Sequence, residues 1–380
     1  MPDTQKSKLR IAFFGDDFSR RGRGTALVIQ KIVEQLVEHH SDTVQVVLLR
    51  PAGPCRSPVC DRVEHVIIPR RYSTLLSFLW FFLTHRTRYD VVVFNRVVYP
   101  GFFLLRAKKR ILILHDASMS ERYVVPRTFV NRMFELFIRL GRPFIDIAVG
   151  DSENARVWIS KYFRIPIRKT RSFYLAADDE YEHFTDAKRS LLLSELSSKY
   201  NVKSPFILDV SRFDPHKNIE GALDAFTRIK NSKNPQLKLV LVGGRHTADY
   251  SDLIEDKINA SPFCDDIRIL SYVESEDMPA IYNCAELLIY PSLVEGFGLP
   301  LIEAMKCGTP IVTSNISCLP EVAGGAALLV DPLDGQSIAD AVQKILGNAE
   351  LKKQLIARGL ARSKEFSWYK TTETFLRMTH

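Results

Sequence analysis

Short apolar runs alternate with stretches of helical periodicity along the whole chain, and nothing else in the sequence restricts the fold so much. That order calls for parallel strands joined by crossover helices. In the first half, strands are expected at 10–14, 44–49, 91–94, 111–114 and 145–149, with Phe173-Tyr174-Leu175 as a last one. In the second half they are expected at 206–210, 239–242, 267–270, 287–290, 311–313 and 327–330. Helical stretches such as 25–38, 129–140, 219–229 and 338–346 lie between them. At 380 residues the expectation is two doubly wound α/β domains, with ligands at the carboxyl ends of the strands. The boundary is expected near residues 176–179, where the acidic stretch 178–186 begins.

Chemistry concentrates in Glu295-Gly-Phe-Gly-Leu-Pro-Leu-Ile-Glu303, followed by Ala304-Met305-Lys306-Cys307-Gly308-Thr309-Pro310. Gly296 and Gly298 let the backbone approach a ligand, and Pro300 suits the first position of a helix. The N–H groups of Gly298 and Leu299 then lie at a positive helix terminus, a place for phosphate. A carboxylate would repel that phosphate, so Glu303 is expected to face a ribose diol and Glu295 a second set of hydroxyls. Arg212 and Lys217 follow the strand 206–210, and a planar fork with a point charge suits a diphosphate. Two fixed cations remove the need for a divalent metal, and no D-x-D triplet occurs. The plainer alternative is a solvated loop glutamate and a first-turn glutamate.

These blocks resemble the donor site of retaining nucleotide-sugar glycosyltransferases of family 4, which have the GT-B architecture. The resemblance runs from about residue 211 to 331. Ser211-Arg212-Phe213 with Lys217-Asn218 looks like the diphosphate-binding Arg and Lys, and Leu241-Val242-Gly243-Gly244 like the strand-end glycine pair. Tyr290-Pro291-Ser292 and Leu319-Pro320-Glu321 flank the two-Glu block in family order. The resemblance implies two Rossmann-like domains facing across a cleft. Residues 1–177 would bind the acceptor, residues 178–366 the donor, and the closing segment 367–380 would pack back on the first domain. It implies catalytic roles for His115, Glu295, Arg212 and Lys217. It implies donor contacts at Gly22, Gly24, Gly243, Gly298, Leu299 and Glu303, and nucleobase readout by the backbone of Tyr272 and Val273. Arg23 between the two glycines departs from the family pattern. So does Tyr174-Leu175-Ala176-Ala177 at the hinge. Asp116 would orient His115 or contact the acceptor, and Asp151-Ser152 reads first as a cap for the helix starting at Glu153.

Residues 1–172 carry 30 Lys and Arg against 15 Asp and Glu, while the remainder is net acidic. A basic half points to an anionic surface or partner. The run Arg70-Arg71-Tyr72 through Trp80 to Arg86 and Arg88 puts aromatics and leucines between basic ends, and Phe102 through Arg110 repeats the pattern. Such chemistry suits a membrane interface or, equally, a core helix with solvated arginines. The longest apolar stretch, 75–83, is far short of the roughly 20 residues that span a bilayer. Six scattered cysteines with no C-x-x-C pair read as reduced cytosolic thiols.

The expected activity is retaining, metal-independent transfer of a hexose, with a mannose-like sugar favoured, from a nucleotide diphosphate sugar. The acceptor would be a hydroxyl of a lipid-linked or lipid-anchored glycan in surface polysaccharide or lipopolysaccharide synthesis. No cofactor and no nucleic-acid partner are expected. The enzyme would be cytoplasmic and peripheral on the inner face of the plasma membrane. A GT-B sugar-nucleotide epimerase is one alternative. A nucleic-acid-binding protein is another, but it leaves Glu295 and Glu303 without a role.

Overall fold

The computed structural model describes residues 8–15, 18, 24–69, 74–96, 98–115, 129–232 and 234–380. The expectations placed on Gly22, Arg23, Arg70, Arg71 and Asp116 lie outside the described residues. The chain divides into two compact α/β units. One holds the first sheet and takes in Ser367–His380; the other contains Ala176–Phe366.

The first sheet contains β1 (Leu9–Phe14), β2 (Val44–Pro51), β3 (Glu64–Ile68), β4 (Arg88–Asn95), β5 (Arg106–Ile113), β6 (Ile147–Gly150) and β7 (Thr170–Ser172). Its order is β3-β2-β1-β4-β5-β6-β7, with parallel pairing throughout. Helices covering both faces explain why β1, β2 and β4 read as nearly unbroken apolar runs. Ile11, Ala12, Val47, Val92 and Leu112 are all buried.

Three strand expectations in this unit needed correction. β3 was not expected, because Glu64-His65 opens an edge strand with polar residues. β5 begins at Arg106, well before the expected start at 111, so Phe102 to Arg110 is no second aromatic-basic helix. Its cations are used locally. Lys108 pairs with Asp90 at 2.7 Å, Lys109 donates to the Met378 carbonyl at 3.1 Å, and Arg110 donates to the carbonyls of Phe103 and Leu105 at 3.1 and 2.8 Å. The last strand is Thr170–Ser172 rather than 173–175, because the Tyr174 carbonyl accepts from Thr371 Oγ1 at 2.5 Å.

The helix α1 (Thr25–His39) follows β1, and α2 (Thr74–Thr84) divides its residues between two environments. Phe78, Phe81 and Phe82 are buried in the core, while Leu76, Trp80 and Leu83 are exposed. Among the described residues, no helix is long and apolar enough to cross a membrane. The C-terminal helix, α13 in chain order (Trp368–Thr379), is capped by Ser367 and packs against α1. Its Phe375 lies 5.9 Å from Phe13, ring centre to ring centre. Cys55 and Cys60 form a disulfide, which corrects the expectation of free thiols for that pair. Their Cα atoms lie 6.1 Å apart, within reach of such a bond.

The second sheet contains β8 (Phe206–Val210), β9 (Lys238–Val242), β10 (Ile267–Leu270), β11 (Leu287–Tyr290), β12 (Ile311–Ser314) and β13 (Leu328–Val330). Its order is β10-β9-β8-β11-β12-β13, again parallel throughout. The strand order reverses between β8 and β11, which is where doubly wound sheets bind ligands.

Candidate active site

The residues expected to bind the donor follow β8 and β11. After β8, Pro215–Lys217 makes a single 3₁₀ turn, closed by Asn218 in the left-handed region at φ 55°. The Asn218 amide donates to the carbonyls of Pro291 and Pro332 at 3.1 and 2.7 Å, tying the turn to the segments after β11 and β13. This linkage sets the position of Lys217. Its ammonium donates to Glu295 Oε1 at 2.5 Å and to the Tyr290 hydroxyl at 3.1 Å. Tyr290 donates to the same carboxylate oxygen at 2.6 Å.

Lys217 and Glu295 are 13% and 11% exposed, so this ion pair is nearly dry. Burial alone would raise the Glu295 pKa. The Lys217 and His216 charges, with the hydrogen bonds from Lys217 and Tyr290, outweigh burial and hold it below the usual value. The Glu295 backbone is fixed as well. Its N–H donates to Ser317 Oγ and its carbonyl accepts from Ser317 Oγ, both at 3.0 Å.

Arg212 is more exposed than Lys217, at 61%. It contacts His246 Nε2 at 3.1 Å, and its guanidinium lies 3.6 Å from Asp214 Oδ2. Asp214 also meets His246 Nδ1 at 2.7 Å and accepts from Thr247 at 2.5 Å. Burial would raise the Asp214 pKa, but these neighbours hold it below the usual value. Gly243, at φ 133°, brings β9 so close to β8 that an added Cβ would lie 2.1 Å from the Ser211 carbonyl oxygen.

Gly298, at φ 91°, is the N-cap of the helix Leu299–Lys306 (α9). Leu299 is therefore the first helical residue and Pro300 the second, one place later than expected. Glu303 projects from the second turn of α9. Its Oε2 accepts from the buried Tyr282 hydroxyl at 2.6 Å. Burial is the largest influence on Glu303 and, with the Asp178 charge, pushes it up to about 7, against hydrogen bonds from Tyr282 and Tyr181. After β10, Tyr272 is exposed and Val273 buried.

In the first unit, Gly24 precedes α1 with φ 56°. His115 follows β5 and is buried. Its Nδ1 meets Asp151 Oδ2 at 2.9 Å and its Nε2 meets Asn95 Oδ1 at 2.6 Å. Both ring nitrogens are thus engaged by residues at the ends of neighbouring strands. The cap of the helix Glu153–Phe163 is Ser152, which accepts from the Ala155 N–H at 3.0 Å, while Asp151 meets His115. Sequence reasoning did not assign Asn95, Tyr181, Tyr282, His246 or Ser317, because each acts on residues distant in the chain.

The family model described as glycosyl transferases group 1 matches residues 195–362. O-antigen chain mannosyltransferase B of Escherichia coli is 34% identical over 280 residues, covering 72% of this chain and 71% of that protein. The chain belongs to the glycosyl transferases of group 1. Serotype-specific mannosyltransferase WbdA of Escherichia coli is 28% identical over 266 residues, covering 69% of this chain but only 32% of that longer protein. The crystal structure of Anabaena HepE with UDP and glucose superposes with a TM-score of 0.77 at 17% identity, over 97% of this chain and 99% of HepE. The architecture of this group 1 glycosyltransferase is therefore GT-B, with the Lys217–Glu295–Tyr290 cluster at the switch point of its second sheet.

Proposed function

We propose that this glycosyltransferase moves a mannose-like hexose from a nucleotide diphosphate sugar to a hydroxyl of a lipid-linked or lipid-anchored glycan. The pathway proposed is O-antigen or related surface-polysaccharide synthesis. The similarity to the O-antigen mannosyltransferase, over most of both chains, carries this reading. The Lys217–Glu295 pair supplies the chemistry, a cation for phosphate beside a carboxylate for sugar hydroxyls. Arg212 and the amides of Gly298 and Leu299 join Lys217 in stabilising the departing diphosphate. Gly243 allows the Ser211–Arg212 turn its close approach. Tyr272 and Val273 read the base, Glu303 takes the ribose diol, and His115 faces the donor sugar. Transfer follows the retaining, same-face course, with the departing phosphate helping to deprotonate the acceptor.

A panel of nucleotide diphosphate hexoses, assayed with lipid-linked acceptor after dialysis against EDTA, tests donor class and metal independence together. Transfer from a mannose donor is expected, with full turnover in EDTA, because Arg212 and Lys217 take the part a metal would play. Activity lost in EDTA and restored by Mg²⁺ or Mn²⁺ would falsify the metal-free reading. Transfer only from a different sugar class would replace the donor assignment.

The basic first unit is proposed to dock on anionic membrane, with Leu76, Trp80 and Leu83 of α2 as apolar contacts. Replacing these three with Ser should release the protein from anionic vesicles while Phe78, Phe81 and Phe82 keep the helix in the core. Arg86 and Arg88 changed to Ser should weaken binding further, since each surface cation contributes about 1 kcal/mol at an anionic leaflet. Unaltered vesicle binding in both variants would remove α2 from the membrane face.

A further inference from the structure

We propose that Tyr282 and Tyr181 are positioning residues for Glu303, presenting its carboxylate to the ribose diol, and that residues 177–184 are for this reason part of the donor site. The proposal rests on Glu303 being the ribose-binding residue. Tyr282 lies in the helix Met278–Cys284 and is fully buried, with its hydroxyl 2.6 Å from Glu303 Oε2. Tyr181 lies in the segment that opens the second unit. Its phenol favours the charged form of Glu303, and its ring meets the Tyr282 ring edge to face, 5.8 Å between centres.

That segment is secured along its length. Lys306, three residues after Glu303 on α9, donates to the Asp178 carbonyl at 2.7 Å and pairs with Asp179 at 3.2 Å. His183 Nδ1 bonds the Cys307 carbonyl at 3.0 Å. Gly308, at φ 70°, would press a Cβ to 2.4 Å from His183 Nδ1. Asn283, next to Tyr282, accepts from the Phe184 N–H at 2.8 Å and donates to the Glu182 carbonyl at 2.9 Å. Tyr181 is therefore flanked in the chain by residues bonded to α9, to Cys307 and to Asn283.

The Tyr282 phenol donates to a carboxylate whose charged form burial opposes, and the Tyr181 phenol favours that form as well. The groups bearing on Glu303 are Tyr282, Tyr181, Asp178 and, just past the end of its own helix, Cys307. The phenols favour the charged form, whereas burial and Asp178 oppose it. A ribose diol donates hydrogen bonds, so it selects the carboxylate. Affinity for a diol-bearing nucleotide should then fall as pH drops through about 7. Loss of either phenol should move that fall to higher pH.

The test compares guanosine and uridine diphosphates with their 2′,3′-dideoxy counterparts, titrated calorimetrically from pH 5.5 to 9. The paired ligands carry the same phosphates, so their difference isolates the diol. Wild-type protein should show a diol-dependent acid limb. In Tyr282→Phe and Tyr181→Phe that limb should move up by about one pH unit, the effect of one lost hydrogen bond to a charged group. Diol binding at pH 7 would weaken roughly fivefold. Glu303→Gln should abolish the limb and leave the dideoxy nucleotide nearly unaffected. Equal losses for both nucleotides in Glu303→Gln would refute the ribose assignment itself. If Glu303→Gln discriminates but the limb stays in place in the folded Phe variants, the tyrosines have no positioning role. Two separate tyrosine variants keep the question answerable should one of them fold poorly.

Discussion

Lys217→Ala should lower kcat/KM by roughly 10²-fold or more, a loss of about 3 kcal/mol in transition-state stabilisation. It should also destabilise the second unit. The ammonium lies 2.5 Å from a Glu295 that is only 11% exposed, so its removal strands a nearly dry carboxylate. Breaking a buried pair from one side costs on the order of 3–5 kcal/mol. Arg212→Ala should produce a similar kinetic loss with almost no change in folding, because Arg212 is 61% exposed. The double variant Lys217→Met with Glu295→Gln separates the two effects: it should regain most of the stability and none of the activity. Urea unfolding and steady-state kinetics on all three provide the check. Full turnover in either single variant would end the phosphate assignment. An undiminished unfolding midpoint in Lys217→Ala would mean that water reaches Glu295 freely. The pH dependence has a definite sign. The Glu295 carboxyl is held below its usual range, so the pair's contribution is present at neutral pH and fades only as pH falls through that lowered value.

The fold was legible where local pattern and tertiary environment agree. Strands buried on both faces, such as β8 and β11, were located to the residue because continuous apolar runs between turn residues leave little choice. Reading failed at the edge strand β3 and at the polar start of β5. β3 pairs along one side only, and β5 satisfies its cations with Asp90, Phe103, Leu105 and Met378, none of which its own segment reveals. The site divides in the same way. Glu295, Glu303, Arg212 and Lys217 stand in a spacing that points to their proposed chemistry. Their supports do not, since Tyr282 reaches Glu303 from 21 positions away and Ser317 holds the Glu295 backbone from 22. The direct Lys217–Glu295 pair spans 78 positions, and it changes the expected cost of losing Lys217 from purely kinetic to kinetic and structural. At Asp151-Ser152 the expected helix cap is present, and a second contact accompanies it. Ser152 takes the helix cap, which leaves the aspartate for His115.

Gly243→Ala should be among the most damaging single substitutions in the second unit, and Gly244→Ala beside it among the mildest. Both glycines end β9, so sequence alone gives them equal weight. Their surroundings differ. Gly243 has φ 133°, a conformation L-residues rarely adopt, and its Cβ would lie 2.1 Å from the Ser211 carbonyl oxygen and 2.7 Å from the Ser211 carbonyl carbon. Those are backbone atoms, so no rotamer change relieves the overlap, and β8 and β9 must separate at their carboxyl ends. Ser211 donates its own N–H to the Val242 carbonyl at 2.8 Å, and Phe213 donates to Gly244 at 2.9 Å, so separation breaks the ladder that positions Arg212. Strain of about 1–3 kcal/mol from the backbone conformation adds to the lost ladder bonds, and a total of about 4 kcal/mol is expected. Gly244 carries no such φ, and a Cβ there meets Ser271 no closer than 3.3 Å, which a small shift accommodates. Denaturant unfolding should therefore part the two variants by several kcal/mol. Whatever Gly243→Ala protein does fold should bind nucleotide diphosphate weakly, through a displaced Arg212. Matching midpoints for the two variants would mean that β8 and β9 part easily at this end, and that the close approach at Ser211 has no part in shaping the phosphate site.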